Sequence, residues 1–504
     1  MIESSARRRI RPQPSERWGG RLAAPTLPPM LATGLAPPGE DLPPRSTETR
    51  AAAKAAGPTP EQRLIQRATM GWTTGAQAEI NALGYNAWLE QQLDFGSLDD
   101  SPLEDALNDG FKTLSMTVTE LFREYGEDQF TPAYELIFAT FFRSVYSPRQ
   151  LLERLVVFWT DHFNIPLFGD EQLILKPIDD RDVIRANAMR TFPALLSASA
   201  HSPAMMLYLS NATNEKGHPN ENYARELMEL HTLGADRGYT QEDVREVARA
   251  FTGWTVDYRE ANRGQFVFNP FTHDEGAKTV LGHTIPAGGG QEDGERVLQI
   301  LAEHPLTADF VSRKMLRYFW GYEPPESFVK QVAQKYLDTG GNIRAMTRTI
   351  LRKAWVAAAP DKLKRPYHHM VSAVRALGAE VDDAGLLIDA VHNAGHLPFN
   401  WDPPNGYPDS DAYWSSFVLP RWNLPDALFG GGINLDIPAL DPERNTALTR
   451  EAVRGRLNRQ LTGSTMTGAT KTALRSYLEA MPLNREAVRD AISLSIASPD
   501  FQQY

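Results

Sequence analysis

There is no cysteine in the 504 residues of this chain. That absence removes disulfides, thiolate metal sites, iron–sulfur clusters and cysteine nucleophiles in one step. It leaves the compartment open, because a cysteine-free chain suits the cytosol and the periplasm equally. Long apolar runs are missing as well. None approaches the roughly 18 residues of a spanning helix, so no membrane span is expected. The start of the chain carries the basic cluster Arg7, Arg8 and Arg9, but no continuous apolar stretch follows it. The nearest candidate, LAAPTLPPMLATGLAPP, is broken by Pro25, Pro28 and Pro29. No export signal is read there, which favours a cytoplasmic location. An excess of positive charge is also lacking. The net charge is −11, which argues against nucleic acid or an anionic membrane surface as a partner.

Several motifs are absent too. No GxxxxGK[ST] loop, HExxH helix, GxSxG elbow or glycine fingerprint opening a βαβ unit occurs. The three glycines at 288–290 lack the lysine and the preceding buried strand of a phosphate loop. No nucleotide cofactor is therefore expected.

What is present reads as a mainly α, multi-helix globular domain with a small β-hairpin insertion and a disordered N-terminal arm. Residues 1–58 hold ten prolines and nine Lys/Arg against five Asp/Glu, too little apolar surface to offset ordering entropy. Residues 59–504 read as one helical domain. Thr59 with Pro60 signals its first helix. In SPRQLLERLVVFWTDHF, at 147–163, Ser147 is placed to cap and Pro148 to open a helix. There Leu151, Leu155, Phe158 and His162 share the apolar stripe, with Glu153 and Thr160 toward solvent. Further helices are expected over 240–253, 291–303, 306–320, 367–379, 445–461, 467–480 and 485–497. Between 265 and 285, QFVFNPF and KTVLGHTI have strand composition, and THDEGA joins them as a turn.

The densest polar stretch is HPNENYARELMELHTLG, 218–234, with Asn220 as its cap and Gly234 as its end. At a regular helical spacing Asn222, Glu226 and Glu229 fall on one face, with Arg225 beside them. His231 points away, so a Glu/Glu/His metal cluster from this helix alone is disfavoured. The carboxylate face either borders a polar cavity or is solvated, with an Arg225–Glu229 pair. Thr240 and Asp243 form a capping box for the next helix, whose stripe is Val244, Val247, Ala248 and Phe251. Trp254 is expected in the core. His273 and Asp274 lie in the hairpin turn, with Lys278 four residues on. A turn-capping Asp274 competes with a cleft site there.

Together, SPRQLLERLVVFWTDHFN, NENYARELMELHTLGADRGYTQEDVREVARAFTGWT, FVFNPFTHDEGAKTVLG, KRPYHHMVSAVRALG and GHLPFNWDPPNGYPDSDAYW resemble the bacterial domain-of-unknown-function family numbered 1800. The resemblance covers about 60–430. It implies no reaction, but it raises His162, Asn220, Glu221, Asn222, Arg225, Glu226, Glu229, His231, His273, Asp274 and Lys278 above background. Members of the family often read Trp-His-Asn-His-Phe where this chain has Trp159-Thr160-Asp161-His162-Phe163. They often carry export signals, which implies a periplasmic or secreted location. They also recur beside a sulfatase-like family, which implies a partner protein.

Three functions follow as expectations. The first is an enzyme, hydrolase or oxidoreductase, with Glu226, Glu229, His162, His273 and Asp274 catalytic. Asn222, Arg225, Lys278 and Trp254 would then bind substrate. A divalent metal is admitted, with Glu226, Glu229 and His162 as candidate ligands. This reading places Glu226 and His162 in one pocket with His273. The second is a non-catalytic scaffold, maturation or export partner of the sulfatase-like protein. The third is a carbohydrate- or polymer-binding module using Trp401, Tyr407, Tyr413 and Trp414.

Overall fold

The computed structural model describes residues 57–169, 172–434 and 440–504, so all but the last two residues of the expected arm 1–58 lie outside the described residues. The protein is mainly helical. The helices used below are α1 (Pro60–Ala68), α2 (Phe130–Tyr146), α3 (Gln150–His162) and α4 (Asn222–Glu226). They continue with α5 (Gln241–Ala250), α6 (Glu292–Glu303), α7 (Pro305–Phe319), α8 (Pro366–Leu377) and α9 (Val418–Ala427).

Local chemistry sets most of the boundaries. Thr59 and Gln62 close a reciprocal capping box on α1, and Thr240 and Asp243 close one on α5. All four stripe residues of α5, Val244, Val247, Ala248 and Phe251, are fully buried. The α3 helix starts later than its sequence suggests. Ser147 accepts from the Arg149 amide (3.0 Å) and donates to Asp100 (2.8 Å), so the Ser-Pro pair makes a turn ahead of the helix. Its polar side is corrected too. Glu153 and Thr160 are buried, because Arg185 donates to both Glu153 carboxylate oxygens and makes burial of that charge tolerable.

The single hairpin expected across 265–285 is replaced by two separate ribbons. Strand β1 (Trp254–Val256) pairs with β2 (Phe266–Phe268), and β3 (Lys278–Val280) pairs with β4 (His283–Ile285), both antiparallel. The second apolar run contains its own turn. Leu281 and Gly282 have φ of 51° and 78°, the left-handed pair of a two-residue hairpin. The first run instead pairs back onto the chain leaving α5, anchored where the Asn269 amide donates to the Gly253 carbonyl (2.7 Å).

Two apolar cores result. One gathers α1, α3, α5, α6, α7 and both ribbons, and contains Leu155, Trp159, Met228 and Met315. The other gathers α2, α8 and the C-terminal helices, and contains Phe141, Tyr367, Val371 and Phe399. Polar side chains of α3 and α7 meet the start of α8 and the loop 396–409 along the seam between these cores.

Candidate functional site

The sequence candidates fall into three groups. The first surrounds β3. His273, Lys278 and Asp293 are all buried. His273 Nδ1 donates to the Thr252 carbonyl (2.7 Å), and Nε2 faces the Asp293 carboxylate (3.2 Å). The Lys278 ammonium donates to Asp293 (2.6 Å), to the Gly276 carbonyl (2.9 Å) and to the Asp274 carbonyl. Asp274 itself turns outward to Arg249 (2.8 and 3.1 Å), and that guanidinium draws its carboxyl down to about 2. Trp254 lies fully buried, with its ring against Gly294 of α6, where a Cβ would come within 2.6 Å. None of the side-chain polar atoms of the Lys278–Asp293–His273 trio is buried without a partner.

The second group lies on α4. The helix does not stay regular: Leu227–Thr232 forms a π turn. The Leu233 amide reaches back five residues to the Met228 carbonyl (2.8 Å). A π turn changes the register on which faces are counted, and such turns frequently mark functional segments. Asn222 is exposed and Glu226 and Glu229 are half-buried. Burial, then the neighbouring Glu229 charge, raises the Glu226 carboxyl, and Glu226 in turn lies close enough to raise the Tyr208 phenol. Tyr208 donates to the Asp402 carbonyl, so Glu226 borders the loop 396–409. Arg225 pairs with Glu221 (3.0 Å) and Gln241 (3.2 Å), not with Glu229.

The third group is internal. His162 and His231 are both buried, with ring centroids 6.1 Å apart. His162 Nε2 donates to the His231 carbonyl (3.1 Å), while His162 Nδ1 and His231 Nε2 have no partner. Burial lowers both imidazoles, His231 to about 3, and the Lys314 charge adds to the effect. These rings are therefore neutral at pH 7. Among the described residues no three His, Asp or Glu side chains form a group able to hold a metal ion, and Glu226, Glu229 and His162 do not converge on one.

Lys314, on α7, links the histidine pair to a cluster that the sequence reading missed. Burial pulls its ammonium down to about 8, while Asp161 and Asp409 pull it back. Asp161, next to His162 on α3, is raised by burial against the pull of Arg365, whose guanidinium donates to it. Arg365 also reaches Asp409 (3.4 Å), and Lys362 donates to Asp409 (2.7 Å). This chain of charges opens on a cavity of about 20 Å³, enough for roughly one water. Arg154, Tyr318, Lys362, Arg365, His368, His396, Asp409 and Tyr504 line it. Burial raises the Tyr504 phenol, but Arg154, Lys362 and Arg67 together outweigh that and hold it below its usual range. None of Glu226, His162 or His273 lines this cavity.

A loop seals the seam. Asn164 donates to the carbonyls of Trp401 (2.7 Å) and Pro403 (2.8 Å). Gly406, at φ 71°, lies so close to α3 that a Cβ would fall 2.0 Å from the Asp161 carbonyl oxygen. Of the loop aromatics, Trp414 and Tyr407 are buried and pack around His396 at 4.8 and 4.5 Å. They anchor the loop and form no exposed flat array. The sequence signal for this site was present as Lys362-x-Lys364-Arg365-Pro-Tyr-His368-His369, a concentration of bases entering a helix.

No curated protein and no solved structure matches this chain. A family model described as Protein of unknown function (DUF1800) matches residues 63–503, which takes in α3, the π turn, both ribbons and every residue of the seam but Tyr504. No helix among the described residues is long and apolar enough to cross a membrane. With nearly its whole length matched, the chain belongs to the DUF1800 family.

Proposed function

We propose that the protein is an enzyme that moves protons along the seam, with Lys314 and Asp161 as its acid–base pair. The observation that carries this reading is the placement of Lys314. Its ammonium, drawn to about 8, is coupled electrostatically to two neutral imidazoles and to a carboxyl that burial raises. Groups whose environments push their proton affinities toward neutrality concentrate at catalytic sites. His162 and His231 would relay protons through their unpartnered nitrogens, and Glu226 and Glu229 would form the solvent-facing edge at the π turn. On this reading His273, Asp274, Lys278 and Trp254 lock the ribbons and do not touch substrate. A hydrolase and an oxidoreductase can both use such a pair.

Two measurements test it. Amine-reactive labelling of Lys314, followed by mass spectrometry across pH, should show a midpoint near 8; a midpoint at the ordinary lysine value would overturn the reading. A screen of ester, phosphoester, glycoside and dye-linked oxidation substrates should then find an activity that Lys314→Met and Asp161→Asn lower by about 10²–10⁴ while both stay folded.

One observation favours a second reading, a non-catalytic partner protein. Val418, Leu419 and Trp422 on α9 are 45%, 66% and 57% exposed, a compact apolar patch on one helix. If the patch docks the sulfatase-like protein, Trp422→Glu should abolish co-purification with it, and an unchanged pull-down would count against the docking role.

A further inference from the structure

The cavity in the seam is short of acceptors. His368 Nδ1 accepts from Arg154 Nη1 (3.3 Å), so the ring proton sits on Nε2. That Nε2 is buried and has no partner, and neither has Arg154 Nε. Arg67, whose guanidinium lies 4.6 Å over the Tyr504 ring, leaves Nε and Nη1 unpartnered as well. Two of these buried N–H donors, Arg154 Nε and His368 Nε2, belong to side chains that line the cavity, and no protein atom receives them. Each costs about 1–3 kcal/mol if left so.

Charge points the same way. Three cations, Arg154, Lys362 and Arg365, line the cavity against one carboxylate, Asp409. Asp161 balances Arg365 from behind, and Arg67 adds a further cation at the Tyr504 ring. The side chains thus leave an excess of two positive charges in a space that holds roughly one water-sized body. A water supplies acceptors but no charge. A polyatomic oxyanion such as phosphate exceeds the space.

We infer that this cavity is the binding site of one small monovalent anion of halide size, held by the unpartnered donors of Arg154 and His368, with Lys362 supplying charge but no free donor. The site requires no catalysis, so it stands or falls apart from the acid–base reading. Its occupant would complete the hydrogen bonding of His368 and Arg154 and neutralise one of the two surplus charges.

The test uses the full-length protein freed of halide by dialysis into gluconate buffer, titrated with sodium bromide, sodium chloride or sodium sulfate at matched ionic strength while thermal unfolding is followed. The expected result is a saturating rise in midpoint with bromide and chloride but not with sulfate, and a bromide anomalous-scattering peak in the cavity. Arg154→Met should lose the halide-dependent rise; should that variant not fold, His368→Phe takes its place. Equal shifts with sulfate, or a rise that survives in the variant, would overturn the inference. So would a halide-independent phenolate absorbance at neutral pH that vanishes in Tyr504→Phe, since the ionised tyrosine would then be the counter-anion.

Discussion

Two buried polar networks occupy this protein, and they are built on opposite terms. Around β3, Lys278, Asp293 and His273 satisfy one another and the adjacent backbone carbonyls. In the seam, His368 and Arg154 keep donors that no protein atom accepts. A closed network fixes a local conformation, here the path of the two ribbons. An incomplete one carries a standing energetic penalty, which is the mark of a place prepared for something other than the chain itself. The family resemblance raised His273 and Lys278 of the closed network and none of the seam donors, and only the partners of each group separate the two.

The sharpest way to break this contrast is to delete one member of the closed network and to disturb the loop that covers the seam. Lys278→Met should strand Asp293 as an uncompensated buried charge and cost about 3–5 kcal/mol, read as a lower urea midpoint. Gly406→Ala drives a methyl into the Asp161 carbonyl at a positive φ, and overpacking of this kind costs about 1–3 kcal/mol. Its effect should fall on the Lys314 labelling midpoint as well, because the loop that covers the seam is lifted.

Acidification has a smaller effect, at the buried histidine pair outside both networks. Burial holds His231 at about 3, against about 6.5 in an unfolded chain. Between these values the unfolded state binds a proton that the native state does not. Stability therefore falls as pH drops below about 6.5, by about 1.4 kcal/mol per pH unit for this ring. His231→Gln removes that share, so its urea midpoint should decline less than that of the parent between pH 7 and pH 5.5. Parallel declines would mean that the ring carries its proton in the fold. The smallest effect is expected from Arg154→Met in the absence of halide. Arg154 has no carboxylate partner to strand, so its loss should cost about 0.5–1.5 kcal/mol, well below the cost at Lys278.

Much of the fold was legible in the sequence, because capping and periodicity are local. Thr59 and Thr240 announced their helices, and the stripe on α5 was correct at every position. The errors arose where partners distant in sequence decided. Glu153 looked solvent-facing until Arg185 arrived beside it. The two apolar runs of 265–285 did not pair with each other, because a Leu281-Gly282 turn closed the second run on itself and the first paired back onto β1. Counting faces at a fixed angle cannot anticipate the π turn at Leu227–Thr232. The seam was the least legible element. Its members come from α3, α7, the entry to α8, the loop 396–409 and Tyr504, and no spacing rule joins residues so far apart.

The cavity between the two apolar cores also has a mechanical consequence. Volume that atoms do not fill is what hydrostatic pressure acts upon, and native states with more of it unfold at lower pressure. The compact trio at β3 offers compression nothing to collapse. The seam does, so a pressurised sample should first yield along the plane where the two cores meet, with Arg154 and His368 gaining water before the ribbons loosen.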